Sequence, residues 1–174
     1  MERARQLAGE VLICLFLVIL GTGVYLMIHF VPADAEIFYD GSYLPLQGVH
    51  MSEPYEYETA LRGSLDIEGG LLSRRLHQSA SIMFLACTVV WALLGRYREA
   101  AVVFALGLLI AFSGSRLAGG HGPESLWWGV HLVAALAVVV ILLRGSWQEA
   151  RINRRTPGLV ALALAATAFL VIVL

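Results

Sequence analysis

Five stretches of this chain run for about the thickness of a bilayer with almost no charge: Glu10–Val31, His77–Gly95, Ala100–Leu117, Leu126–Leu143 and Gly158–Leu174. A hydrocarbon core of ~30 Å is crossed by roughly 20 apolar residues in helical form. Lipid offers no partner to backbone N–H and C=O groups, so single runs of this length satisfy themselves as helices. The expectation is an all-α integral membrane protein: a four-helix transmembrane bundle plus a fifth, C-terminal transmembrane helix. A mean hydropathy of +0.76 and a hydrophobic share of 59% over 174 residues exclude a soluble domain.

Charge sets the expected orientation. All 12 basic residues are arginine. Arg3 and Arg5 precede the first run, Arg96 and Arg98 lie between runs two and three, and Arg144, Arg151, Arg154 and Arg155 lie between runs four and five. The positive-inside rule places these ends, and the N-terminus, in the cytoplasm. The segment Pro32–Ser73 then lies outside, and it carries Asp34, Glu36, Asp40, Glu53, Glu56, Glu58, Asp66 and Glu68 against Arg62 alone. Ala33-Asp34-Ala35 has the look of a signal cleavage site, but the preceding apolar run is longer than a signal core, so it reads as a true span. The chain divides into a bundle over 1–145, with its long outer segment at 32–73, and a cytoplasmic connection and final span over 146–174. Pro157 suits the first turn of that last helix. No internal repeat is visible.

A net charge of −1 gives no basic balance for nucleic acid. Cys14 and Cys87 both sit in apolar runs and read as small buried hydrophobes. No CxxCH motif for covalent haem attachment and no CxxC pair is present.

Among the five histidines, two lie at matching depth. His77 opens the second run at its outer end, and His131 lies about one and a half turns into the fourth, which also runs inward. One imidazole from each could meet an iron between the helices, in the place where bundles build ligand sites. Two such ligands saturate the iron axially, which suits electron transfer. A single histidine at a membrane interface is more often a hydrogen-bonding residue, whereas a polar residue inside an apolar helix, as at His131, points to function. Spacing alone leaves both readings open.

Four stretches sharpen the choice: Thr22-Gly23-Val24-Tyr25-Leu26-Met27-Ile28-His29-Phe30, Gly70-Leu71-Leu72-Ser73-Arg74-Arg75-Leu76-His77, Ala111-Phe112-Ser113-Gly114 and Trp127-Trp128-Gly129-Val130-His131. In this order they are similar to motifs on helices A to D of cytochrome b. Residues Gly9–Leu143 thus resemble the N-terminal, four-helix half of cytochrome b from the quinol:cytochrome c oxidoreductases. That family stacks two haems across the membrane, with ligand histidines, and glycines on the facing helices, repeated every fourteen residues. Fourteen residues make about four turns, or ~21 Å of rise, and return to the same helix face. Glycine is implied where the porphyrin lies against backbone.

The resemblance implies one site intact and one dismantled. The outer set is His77, His131, Gly23 and Gly114. Fourteen residues further in stand Trp91 for one ligand, Gly145 for the other and Ala100 for one glycine, with Gly9 retained. The inner haem is therefore expected to be absent, with Trp91 filling part of its volume, because a void of haem size in a packed bundle is unfavourable. Arg74 matches the family's propionate-binding arginine; Arg75 and Arg116 assist it or simply snorkel to the interface. His29 matches a position that is not an axial ligand. His50 and His121 are metal ligands or, more commonly for such positions, plain surface residues.

The family's second half, with its quinol-oxidising motif, has no counterpart here, and the turn after helix C is cut short. The reading is a non-catalytic electron-transfer subunit with one bis-His b-type haem near the outer face, in a larger respiratory or photosynthetic complex of the inner (plasma) membrane. Other membrane subunits, quinone, and an outer-side cytochrome c or iron–sulfur protein are its expected partners. The alternative is a haem-free structural or assembly subunit. A haem sensor or delivery protein would call for an open axial position.

Overall fold

A computed structural model describes residues 2–29, 37–38, 42, 44–51, 68–118 and 124–173 of the chain. Five helices account for most of them: α1 (Glu2–Ile28), α2 (Gly70–Trp91), α3 (Tyr97–Ala118), α4 (Glu124–Ile152) and α5 (Pro157–Val173). All but α5 are longer than the apolar runs that announce them. α2 begins seven residues before His77, and α4 continues nine residues past Leu143. Hydropathy marks where lipid begins, whereas backbone hydrogen bonding continues through helix-compatible residues such as Arg74 and Arg75. The expected boundary at 145 falls inside α4.

α2 and α3 are joined by a π-helical turn, Ala92–Arg96, so that the helical trace from Gly70 to Leu117 breaks only at Gly95. Gly95 has φ +103, a conformation that other residues adopt only with strain. The two helices then pack closely: a Cβ on Gly107 of α3 would lie 2.8 Å from Leu85 Cδ2 of α2. Thr156 begins α5, its carbonyl and hydroxyl oxygens both accepting from Leu159 N–H, and Pro157 takes the first turn as expected.

α1 is the central helix, packing on α2, α4 and α5, while α3 lies between α2 and α4. The core is narrow: Leu12, Leu15, Phe84, Trp91, Val103 and Val138 are buried. Around it, large apolar side chains point outward on every helix, for instance Leu17, Ile82, Leu108, Leu136 and Phe169. Such a surface suits lipid tails or the apolar faces of other membrane helices. By length and composition, three helical traces can cross a membrane, and α5 is a shorter apolar helix beside them. In the outer segment the structure adds an element the all-helical reading did not foresee. Ile37–Phe38 pairs antiparallel with His50–Met51, around a 3₁₀ turn at Leu44–Leu46. His121 lies outside the described residues, as does His50 beyond its backbone.

The ends of α1 and α4 opposite this segment are tied by charge. Arg5 Nε donates to Glu149 at 2.7 Å, and Arg96 NH2 donates to the same carboxylate at 2.8 Å. Glu10 accepts from Ser146 at 3.0 Å and from Arg155 at 2.7 Å. Gln6, almost fully buried, donates to the carbonyl of Asn153 at 2.9 Å. Breaking a fully buried ion pair costs roughly 3–5 kcal/mol. Arg5 and Arg96 are partly exposed (23% and 14%), so Glu149→Gln is expected to lower stability by about 1–2 kcal/mol. Thermal unfolding in detergent measures this; an unchanged midpoint would mean that the cluster contributes no net stability.

Candidate haem-binding site

His77 stands seven residues into α2, and His131 stands seven residues into α4. Each faces a neighbouring helix that presents a hydroxyl residue followed by glycine. His77 Nδ1 lies 3.1 Å from the Ile19 carbonyl oxygen and 3.0 Å from Thr22 Oγ1 on α1. His131 Nδ1 lies 3.1 Å from the Ile110 carbonyl oxygen and 3.1 Å from Ser113 Oγ on α3. The two halves therefore repeat one arrangement, in which a carbonyl, a hydroxyl three residues later and then a glycine grip one imidazole.

A carbonyl oxygen can only accept, so Nδ1 carries the proton in both rings. The lone pair then sits on Nε2, and neither Nε2 makes a hydrogen bond among the described residues. Anchoring one ring nitrogen to a backbone carbonyl fixes the tautomer and orientation of a metal-binding histidine and raises the basicity of the other nitrogen. Thr22 donates its own hydroxyl proton to the Val18 carbonyl at 2.7 Å, leaving its oxygen free to accept from the imidazole.

Gly23 and Gly114 are required at close quarters. A Cβ on Gly23 would lie 3.1 Å from His77 Cε1, and one on Gly114 would lie 3.2 Å from His131 Cε1. The rings are pinned at Nδ1 and have little freedom to give way. Each glycine lets an imidazole lie directly over helix backbone, a different use from the contact with porphyrin that the resemblance implies.

The cations stand at the same end. Arg74, one turn before His77, is half-buried, and Arg75 is exposed. Arg116 lies two residues past Gly114; its guanidinium sits 5.7 Å from the Trp127 ring centroid, and its buried Nε has no hydrogen-bond partner among the described residues. Trp127 in turn meets Phe112 edge-on at 5.6 Å. His29 packs against Tyr25, with ring centroids 4.5 Å apart. The donor set fits a b-type haem: two imidazoles with Nε2 available, and arginines beside them for the propionates. No cluster of three or more His, Cys, Asp or Glu side chains placed to hold a metal ion occurs among the described residues.

Fourteen residues along the same helices the picture reverses. Trp91 is buried (1% exposed), with its indole between α1 and α4. A Cβ on Gly9 would lie 3.7 Å from Trp91 Nε1, and one on Gly145 would lie 3.5 Å from Cζ2 and Cη2. Ala100 is buried as well. The described residues here offer no imidazole, and the indole takes the space between the two glycines.

Sequence reasoning named the histidines and glycines but missed Thr22, Ser113, Ile19 and Ile110. The signal was present as a short echo, Ile19-Leu20-Gly21-Thr22-Gly23 against Ile110-Ala111-Phe112-Ser113-Gly114.

No family model matches the chain. Curated relatives do. The cytochrome bc1 complex cytochrome b subunit of Corynebacterium efficiens is 37% identical over 151 residues, covering 82% of this chain and 28% of that protein. The subunit of the same name from Mycobacterium leprae is 35% identical over 150 residues, 81% of this chain and 27% of that protein. That from Streptomyces coelicolor is 50% identical over 78 residues, 45% of this chain and 14% of that protein. The chain spans 27–28% of the length of the first two.

Proposed function

With this chain a member of the cytochrome b family, homologous to the N-terminal part of bc1-complex cytochrome b subunits, we propose that it is a membrane electron-transfer subunit holding one b-type haem between His77 and His131. The observation that carries this reading is the duplicated grip on the two rings. Each Nδ1 is spent on a backbone carbonyl, so each Nε2 is left as a ligand. A haem ligated on both faces supplies reversible one-electron transfer with no open position for oxygen.

The chain's own residues then have separate tasks. His77 and His131 would hold the group through Nε2. Thr22 and Ser113 hold the rings in orientation. Arg74, Arg75 and Arg116 neutralise the propionates where the helices leave the apolar layer. Trp91 closes the second position, so that the haem content is one. Electrons cannot cross the whole bilayer through this chain alone. It therefore works with other membrane subunits, and an outer-side cytochrome c or iron–sulfur protein and quinone are the partners that its acidic outer segment and single outer haem suit. The plasma membrane, with the N-terminus in the cytoplasm, is the proposed setting.

Reduced-minus-oxidised spectra of the purified protein, with a haem-to-protein ratio, test the reading. The expected result is low-spin b-type bands at a ratio near one. Absence of haem would overturn the function, and a ratio of two would overturn the role of Trp91.

A further inference from the structure

A groove of about 390 Å³ opens between α3 and α4, at the end of the bundle away from the anchored histidines. Arg98 and Val102 on α3 and Val140, Ile141, Arg144 and Gly145 on α4 line it. Val102 and Val140 are 50% and 64% exposed, so the walls are open to whatever surrounds the helices.

The other polar residues of the groove are already engaged. Glu99 accepts from Arg96 at 2.9 Å, and Gln148 Oε1 accepts from the same guanidinium at 3.1 Å. Arg144 makes no hydrogen bond or ion pair among the described residues, and Arg98 has only the face of Tyr97, at 5.7 Å. The site thus combines two uncompensated guanidiniums with an aliphatic cleft directly beside them.

We propose that this groove binds one anionic phospholipid, its phosphodiester bridging Arg98 and Arg144 and an acyl chain lying along Val102, Val140 and Ile141. A guanidinium pairs phosphate oxygens through two parallel N–H donors. Basic pockets between transmembrane helices suit anionic head groups for this reason. The apolar walls select a lipid over a free phosphate, since an inorganic anion gains nothing from three aliphatic side chains. Gly145 adds no side chain to the cleft, and a Cβ there would meet Trp91 at 3.5 Å, an ordinary contact distance. The proposal does not depend on the haem.

Native mass spectrometry of the purified chain in detergent, titrated separately with phosphatidylglycerol, phosphatidylcholine and inorganic phosphate, tests it. One phosphatidylglycerol should be retained at least about tenfold more tightly than phosphatidylcholine. Arg98→Gln with Arg144→Gln should reduce its retention to the phosphatidylcholine level. Val140→Trp, which fills the cleft and keeps both charges, should do the same, and it carries the test if the double variant loses its helical circular dichroism. Equal retention of the two lipids, wild-type retention in either folded variant, or displacement of the lipid by equimolar inorganic phosphate would each overturn the proposal.

Discussion

His131→Ala is expected to take the low-spin haem signal from about one per protein to near zero, and His77→Ala is expected to do the same. With one axial ligand gone, the remaining imidazole holds the iron on one face only, and low-spin character is lost even if some haem stays in the bundle. The variants also remove the ring's hydrogen bond to the Ile110 or Ile19 carbonyl, which keeps the Ser113 or Thr22 hydroxyl within hydrogen-bond distance, at a cost of about 0.5–1.5 kcal/mol. Helical circular dichroism separates that destabilisation from loss of the ligand. Added imidazole offers a second control, because a cavity the shape of the missing ring should accept it and restore part of the low-spin bands. Persistence of those bands at the wild-type ratio in both variants would show the ligands to be other residues.

The second large effect concerns packing. Trp91→Ala is expected to destabilise the bundle by about 3–5 kcal/mol, the range for removing a large aromatic side chain from a core. The indole is among the largest fully buried side chains described, and it touches the glycine positions of two helices. Trp91→Phe should cost far less. It keeps much of the volume and removes an indole N–H that has no partner among the described residues. Chemical or thermal unfolding of the three proteins in one detergent gives the comparison. A loss below about 1 kcal/mol for the alanine variant would mean that neighbouring helices collapse into the space, and that the tryptophan is not what closes the second position.

Much of the architecture was legible from single residues because membranes impose local rules. Uncharged runs of bilayer length had to be helices, and Pro157 marked the start of α5. The helix ends were not legible from hydropathy, because Ser73, Arg74 and Arg75 are polar yet helical. The outer ladder between Ile37–Phe38 and His50–Met51 escaped notice because two residues per strand leave no alternating pattern.

For the candidate site, the sequence by itself named the candidates. The resemblance to cytochrome b singles out His77, His131, Gly23 and Gly114, with Trp91, Gly145 and Ala100 standing where the inner set would be. Only the tertiary structure decided how they act. Which nitrogen of each imidazole is held depends on carbonyls 58 and 21 residues away in the chain, brought near by helix packing. Whether Trp91 fills the second position or turns away depends on the distance between α1 and α4 at Gly9 and Gly145. Hydropathy and motif spacing are properties of one segment, whereas a tautomer and a filled volume are properties of two or three segments in contact.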